Sequence, residues 1–317
     1  MMLFLMRKRG EIQMSIVNNL LEIFKTAEFT LKEAYAANPN VNKESVRARI
    51  YERIGIDFER LGKGLYTTKE KDCILIEGNG RDLSMIKNES IDCIITDHPW
   101  LDKKSNKGGN RNFAAYDCFE YTLKDFKEKA RVLKDGSFLV ECIPAENEIN
   151  FDYLYKLKKM AQEAGFQYYA KVPWVKGTFV SNTGRKSKNS EDLMIFSKGK
   201  PRALRLDAKK TKAFGVETYM SGTNKMLPTD FNIQAVANQN KICQSEKPSE
   251  LFEQLLEYIT LENEVVLDQF AGSGSVGVAC INKKRKCILI EKAKECVDKI
   301  IKRINMENIV VIDSMAC

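Results

Sequence analysis

Two short stretches of the sequence carry side chains suited to chemistry. In IITDHPW, residues 94–100, an apolar run leads to Asp97 and then to His98, Pro99 and Trp100; His98 is the only histidine in the chain. Proline removes backbone freedom, so an acceptor carboxylate and a flat aromatic stand in a fixed relation at the end of a buried strand. In VVLDQFAGSGSVGVAC, residues 265–280, a strand runs into Asp268, a glycine-rich turn with Gly272 and Gly274, and then a helix. Glycines there let the backbone approach a ligand with no Cβ in the way. Glu291 closes the next strand, CILIE, about twenty residues past the loop, where a carboxylate takes both hydroxyls of a ribose. The spacing is FxGxG and not GxGxxG, which suits a nucleoside without a pyrophosphate. Taken singly, each feature has a plainer reading: Asp97 as a turn acid, Trp100 as core, the glycine loop as part of any dinucleotide enzyme.

Both stretches need a frame that brings strand ends together. From about residue 71, apolar runs alternate with amphipathic stretches. CILIEG, IDCIITD, SFLVECI, YYAKVPWV, DLMIFSKG, EVVLDQF, KCILIE and NIVVID read as strands, and LKDFKEKARVL, FDYLYKLKKMAQEAG and PSELFEQLLEYI as helices. Buried strands joined by helices imply an α/β layered domain with a mostly parallel, Rossmann-like sheet. Such sheets bind ligands at the carboxyl ends of their strands.

Residues 1–70 have separate punctuation. SIVNNLLEIFKTAE places Ile16, Leu20, Ile23 and Phe24 at helical spacing; TLKE matches a capping box of Thr30 with Glu33; and Asn42 is an N-cap for KESVRARIYERIG. That third helix puts Val46, Ile50 and Ile54 on one stripe and leaves Lys43, Arg47, Arg49 and Arg53 pointing away from it, with Gly55 as a stop. FERLGKGLYTT then reads as a hairpin with Lys63 at its tip. Three helices and a basic-tipped hairpin in this order resemble a winged helix-turn-helix domain, in which the third helix is offered to a DNA groove and the wing touches the backbone. A protein-interaction module of the same shape is the alternative.

Composition narrows the classes. The 317 residues are 44% hydrophobic, enough for one large core and a small second one. No apolar run approaches the roughly 20 residues of a membrane span, and the opening MMLFLMRKRG reverses the order of a secretory signal. Nine cysteines, an odd number with no CxxC pair, argue against a disulfide framework. With one histidine, a zinc site of the His-rich kind is excluded, so no metal is expected. The net charge of +8 favours a polyanionic partner, though lysine-rich surfaces are also simply solvated. The expectation is a cytoplasmic, DNA-associated protein of bacterial or phage source.

The Asp-x-Pro-aromatic turn and the FxGxG loop together resemble the amino-group DNA methyltransferases that use S-adenosylmethionine, and the resemblance extends over nearly all of residues 71–305. LIEGNGRDLSMIKNESIDCIITDHPW follows the family's opening line, and SEKPSELFEQLLEYI is similar to the helix that precedes the FxGxG strand. The catalytic turn precedes the cofactor loop, the order of the β group. The resemblance implies a methyltransferase domain over 71–317 with a small target-recognition insert at about 200–243. It implies that Trp100 stacks on a base flipped out of double-stranded DNA. Asp97 and the carbonyl of residue 98 would accept the two protons of its amine, and Pro99 would keep the turn rigid. It assigns Phe270, Ala271, Gly272, Ser273 and Gly274 to the loop beside the cofactor, Asp268 to its methionine end and Glu291 to its ribose. Lys247 would face the cofactor's carboxylate, and Asn79 stands where the family usually has aspartate. His98 departs from the pattern by taking the place of a proline, which puts a titratable ring beside the target. The basic, glycine-rich stretch 101–116, with Lys103, Lys104, Lys107 and Arg111, is positioned to act as a DNA clamp. Aspartate at the head of the turn favours adenine N6 over cytosine N4. A DNA-binding regulator that keeps the shell without methyl transfer, and an RNA substrate, are the other readings; a homodimer is open.

Overall fold

A computed structural model describes residues 16–24, 27–55, 57–69, 71–100, 118–180, 186–211, 217–243, 245–304 and 309–313. The first of these form helices α1 (Ile16–Phe24), α2 (Leu31–Ala37) and α3 (Lys43–Glu52) with strands β1 (Glu28–Thr30), β2 (Phe58–Gly62) and β3 (Leu65–Thr68). The strands make an antiparallel sheet in the order β1-β3-β2. Local chemistry explains the helix starts. Thr30 and Glu33 close a complete capping box on α2, and Asn42 Oδ1 accepts the Ser45 N–H at 2.7 Å to cap α3. Leu20, Phe29, Val46, Ile50, Phe58 and Tyr66 form the core of this unit. The predicted stripes need two corrections. α3 ends at Glu52, so Ile54 falls beyond it and is exposed; on α1, Leu21 is buried while Ile23 is exposed.

The rest builds on a nine-stranded sheet. Its strands are β4 (Cys73–Glu77), β5 (Ile91–Thr96), β6 (Leu133–Pro144), β7 (Phe166–Val180), β8 (Lys186–Lys198), β11 (Phe231–Asn232), β12 (Val265–Asp268), β13 (Lys286–Glu291) and β14 (Ile309–Asp313). The order across the sheet is β11-β7-β8-β6-β5-β12-β13-β4-β14, parallel everywhere except on the two sides of β8. A short hairpin, β9 (Arg205–Thr211) with β10 (Glu217–Met220), lies in the stretch expected to hold the insert.

Helices cover both faces. Side chains alternate along each strand, so Cys73, Leu75, Cys93 and Ile95 pack under α6 (Ser249–Ile259), α7 (Ser275–Asn282) and α8 (Lys294–Ile304). Ile74, Ile76 and Ile94 pack on the other face under α4 (Leu123–Val132) and α5 (Phe151–Glu163). Each strand and helix segment quoted from residue 71 onward overlaps one of these elements, because fully buried strands read as continuous apolar runs. Among the described residues, no helix is long and apolar enough to cross a membrane, and no cluster of three or more His, Cys, Asp or Glu could hold a metal ion.

Candidate active site

The two motif-bearing strands are neighbours. β5 and β12 pair in parallel, Val266 with Cys93 and Leu267 with Ile94, so their carboxyl ends open on the same edge. Thr96 Oγ1 donates to Asp268 Oδ1 at 3.1 Å and joins the two ends directly. The alternation of β5 continues into the turn: Asp97 faces the start of α6 and His98 faces α4 and α5. The turn is closed from the far side by Phe119, whose N–H donates to the Pro99 carbonyl.

Asp97 is half-buried, and each of its oxygens has one donor and a lone pair to spare. Its Oδ2 accepts from Lys247 Nζ, and its Oδ1 accepts from Trp100 Nε1 at 3.3 Å. Lys247 also reaches Glu191 Oε2 at 3.2 Å, and Glu191 in turn accepts from Lys176. Burial pushes the Asp97 carboxyl up from its ordinary value, with Lys247 opposing and Glu191 adding to the rise. Burial alone would lower the Lys247 ammonium, but Asp97 and Glu191 outweigh it and hold the group above its ordinary value. Lys247, expected to face the cofactor's carboxylate, has its ammonium between two acids of this chain, Asp97 and Glu191. Glu191, on β8, is a site residue that the sequence did not single out.

The loop after β12 takes its shape from Gly272 and Gly274, both at positive φ (51° and 76°). A Cβ on Gly274 would meet Ile300 at 3.0 Å, whereas one on Gly272 would meet only the Phe270 carbonyl at 4.0 Å, so the loop is open there. Glu291 accepts from the backbone N–H groups of Gly272 and Ala293, each at 2.8 Å, which fixes its carboxylate against the loop. Asp268 Oδ1 accepts the Phe270 N–H at 3.1 Å. Burial first, then the nearby charges of Asp97 and Glu291, raise Asp268 to about 7. Phe270 is half-buried against Phe119, and Ala271 and Ser273 are buried. Ser275 Oγ donates to the Lys247 carbonyl at 2.6 Å, and Arg303 bonds both the Ser273 carbonyl and Glu246, tying the segment before α6 to the loop. The turn after β4 also closes on this loop. Gly80 lies so close that a Cβ would come within 1.9 Å of the Gln269 carbonyl. Asn79 is exposed and its Oδ1 accepts the Arg81 N–H at 3.1 Å.

His98 does not stand beside the open edge. Its ring is buried (1% exposed), 4.0 Å from Trp100 and 4.1 Å from Tyr121 between ring centroids. Burial, then the nearby Lys129 ammonium, hold it well below its ordinary value, so the ring is neutral. The strand alternation turns His98 inward, so its titratable ring, expected beside the target, is buried behind Trp100 and Tyr121.

Of the cations assigned to DNA, Lys43, Arg47 and Lys63 are exposed, Lys63 at the tip of the β2–β3 hairpin. Arg49 pairs with Glu52 at 2.6 Å, and Arg53 pairs with buried Asp57, which removes Arg53 from the outward-facing set. Lys103, Lys104, Lys107 and Arg111 lie outside the described residues.

Comparison with known proteins agrees with this arrangement. The family model described as DNA methylase, of the N6/N4 type, matches residues 91–303. The Type II methyltransferase M.HpaI of Haemophilus parainfluenzae is 27% identical over 212 residues, 65% of this chain and 65% of that protein; the chain thus spans somewhat under two thirds of that relative's length. A putative methylase, YubD, of Escherichia coli (strain K12) is 27% identical over 217 residues, 68% of this chain and 80% of that one. Among solved structures, the M1.HpyAVI–SAM complex superposes with a TM-score of 0.51 at 21% identity, covering 74% of this chain and 99% of that one. The PvuII DNA methyltransferase, titled cytosine-N4-specific, gives 0.51 at 16% identity, covering 77% and 98%, so the fold is shared. With more than half of its residues inside that family model, the chain belongs to the N6/N4 DNA methylase family.

Proposed function

We propose that this protein transfers the methyl group of S-adenosylmethionine to the exocyclic amine of a base flipped out of duplex DNA, with adenine N6 as its target. The observation that carries the reading is the Thr96–Asp268 bond, which sets the Asp97 turn and the glycine loop side by side at adjacent strand ends. The residues fit the cofactor electrostatically. Asp97, Asp268 and Glu291 lie close enough that the first and last raise the carboxyl of the second. A ligand carrying a sulfonium and an ammonium relieves that repulsion. Asp268 would hold the ammonium and Glu291 the ribose hydroxyls, using lone pairs left free by its backbone bonds.

When bound, S-adenosylmethionine supplies an electrophilic methyl group. The chain's own part is to orient and polarise the acceptor. Trp100 offers a stacking face worth about 1–3 kcal/mol per base, and its Nε1–H steadies Asp97. Asp97 accepts one amine proton and the His98 carbonyl the other, which raises electron density on the nitrogen and aims it. Lys247 opposes the rise that burial gives the Asp97 carboxyl, favouring its charged form. Lys43, Arg47 and Lys63 supply backbone grip from the N-terminal unit, which we take as a winged helix-turn-helix domain. Aspartate at the head of the turn favours adenine.

The test is incubation with mixed-sequence duplex DNA and S-adenosylmethionine, digestion to nucleosides and mass spectrometry. N6-methyladenine is expected, absent with Asp97→Ala. N4-methylcytosine would keep the mechanism and overturn the base. Cofactor binding with no methylated nucleoside would favour a regulator, and methylation of structured RNA over DNA would move the substrate.

A further inference from the structure

Beneath the catalytic turn lies a buried polar cluster that the proposed reaction does not use. His98 Nε2 lies 3.0 Å from the Tyr153 hydroxyl on α5, and that hydroxyl accepts the Tyr121 N–H, also at 3.0 Å. On the other side of the ring, Nδ1 faces Glu141 Oε2 at 3.9 Å, beyond hydrogen-bond distance, and neither of these two buried atoms has a hydrogen-bond partner, so Glu141 acts on the ring through its charge. Glu141, on β6, is opposite Thr96 in the strand register and fully buried with Lys129 of α4, its ion-pair partner. Lys129 Nζ also sits over the Tyr121 ring, 3.8 Å from its centroid.

One proton arrangement suits these contacts best. A hydroxyl has one proton and two lone pairs. With the Tyr121 N–H donating to it, the Tyr153 O–H is free to donate to Nε2, which must then be bare. The imidazole proton is left on Nδ1, pointing at a carboxylate. The opposite tautomer would aim a bare nitrogen at Glu141, lone pair against negative charge. Burial of a polar ring without partners is costly, so the cluster selects the neutral, Nδ1-protonated form.

We propose that the His98 side chain is a positioning residue, a clamp that fixes the catalytic turn through Tyr153 on one side and the Glu141–Lys129 pair on the other. The turn needs such a device because histidine, unlike proline, leaves φ free. His98 is flanked by Asp97, whose carboxylate captures the amine in the proposed reaction, and its own carbonyl is the second acceptor. Rotation of the ring out of its slot would displace both. The clamp deepens the reading of the site as a methyltransferase centre and rests on it for its kinetic consequence, but not for its existence.

Because His98 is the sole histidine, nitrogen-15 NMR of labelled imidazole gives a single spin system and reads the clamp without turnover. The expected spectrum has a protonated Nδ1 and a bare Nε2, and does not titrate between about pH 5.5 and 8, where an unperturbed histidine would. The groups facing the ring are Glu141 from β6, Lys129 and Asp125 from α4, Tyr153 from α5, Tyr121, and more remotely Lys247. Tyr153→Phe should weaken the tautomer preference. In single-turnover methyl transfer, Tyr153→Phe and His98→Ala should each slow the step by about 10–100-fold, the scale of a misplaced reacting group, with cofactor affinity unchanged. His98→Gln, whose Oε1 can accept from Tyr153, should recover most of the rate, and Tyr153→Phe should add nothing to His98→Ala. A proton on Nε2, ordinary titration near about 6.5, or an unchanged rate in Tyr153→Phe would overturn the clamp. Wild-type protein that methylates nothing would refute the reaction instead, leaving the imidazole spectra to decide the clamp.

Discussion

At the scale of single residues, the site is dominated by carboxylates held in a dry place. Asp268 shows the consequence. Its carboxyl is raised from 3.8 to about 7, mainly by burial. Between those values the folded protein keeps a proton that the unfolded chain has lost, so stability falls as pH rises through this window. A tenfold change in proton affinity is worth about 1.4 kcal/mol, so the buried charge costs at most about 4 kcal/mol above pH 7. Asp268→Asn should therefore raise the melting temperature at pH 8 and lose most of that advantage by about pH 4, as read by thermal denaturation. If Asp268 holds the cofactor's ammonium as proposed, the wild type should bind S-adenosylmethionine more tightly as pH rises through about 7, and Asp268→Asn should remove that rise, as measured by calorimetry. A variant that is less stable at pH 8 would mean that the Thr96 and Phe270 hydrogen bonds outweigh the buried charge.

At the scale of elements, the glycine loop after β12 depends on three strand ends meeting. The turn after β4 crosses the end of β13, where Gly78 N–H donates to the Glu291 carbonyl at 2.9 Å, and Gly80 then touches the loop after β12. The obstacle at Gly80 is a backbone carbonyl, which cannot rotate away as a flexible side chain would. Gly80→Ala should cost about 1–3 kcal/mol, the usual penalty of overpacking, and lower cofactor affinity at least about tenfold, since about 1.4 kcal/mol suffices for that. Denaturant titration and calorimetry on the same variant check both. Normal affinity with lowered stability would show that the loop does not bear on the cofactor.

At the scale of the molecule, the two units share a strand. Val310 of β14, at the edge of the large sheet, is buried in the core of the N-terminal unit, and Ile312 packs against it. The helix and hairpin that carry Lys43, Arg47 and Lys63 are thereby fastened to the sheet. If those cations contact phosphates, Arg47→Ala with Lys63→Ala should weaken duplex binding. The slope of log affinity against log salt should also flatten by about 0.9 for each phosphate no longer neutralised. Fluorescence anisotropy over a range of salt concentrations measures this. Unchanged affinity and slope would assign the unit to protein binding.

How much of the molecule can be read from its sequence depends on the range of the interaction. The apolar runs of β4, β5, β12 and β13, the capping box at Thr30, and the glycines after Asp268 are local signals, set by side-chain period and backbone sterics, and the sequence alone was enough for them. It also sufficed to single out Asp97 and Trp100 by their place at a strand end. Pairings between distant residues were a different matter. The sequence holds no local trace of Lys247 lying 150 positions from the acid it pairs with, of Glu191 beside it, or of Gly80 against Gln269. The orientation of His98 was decided by tertiary structure too, because which face of β5 meets α4 and α5 is fixed only when the sheet is assembled. Side-chain period determines what is buried; packing of whole elements determines what it is buried against.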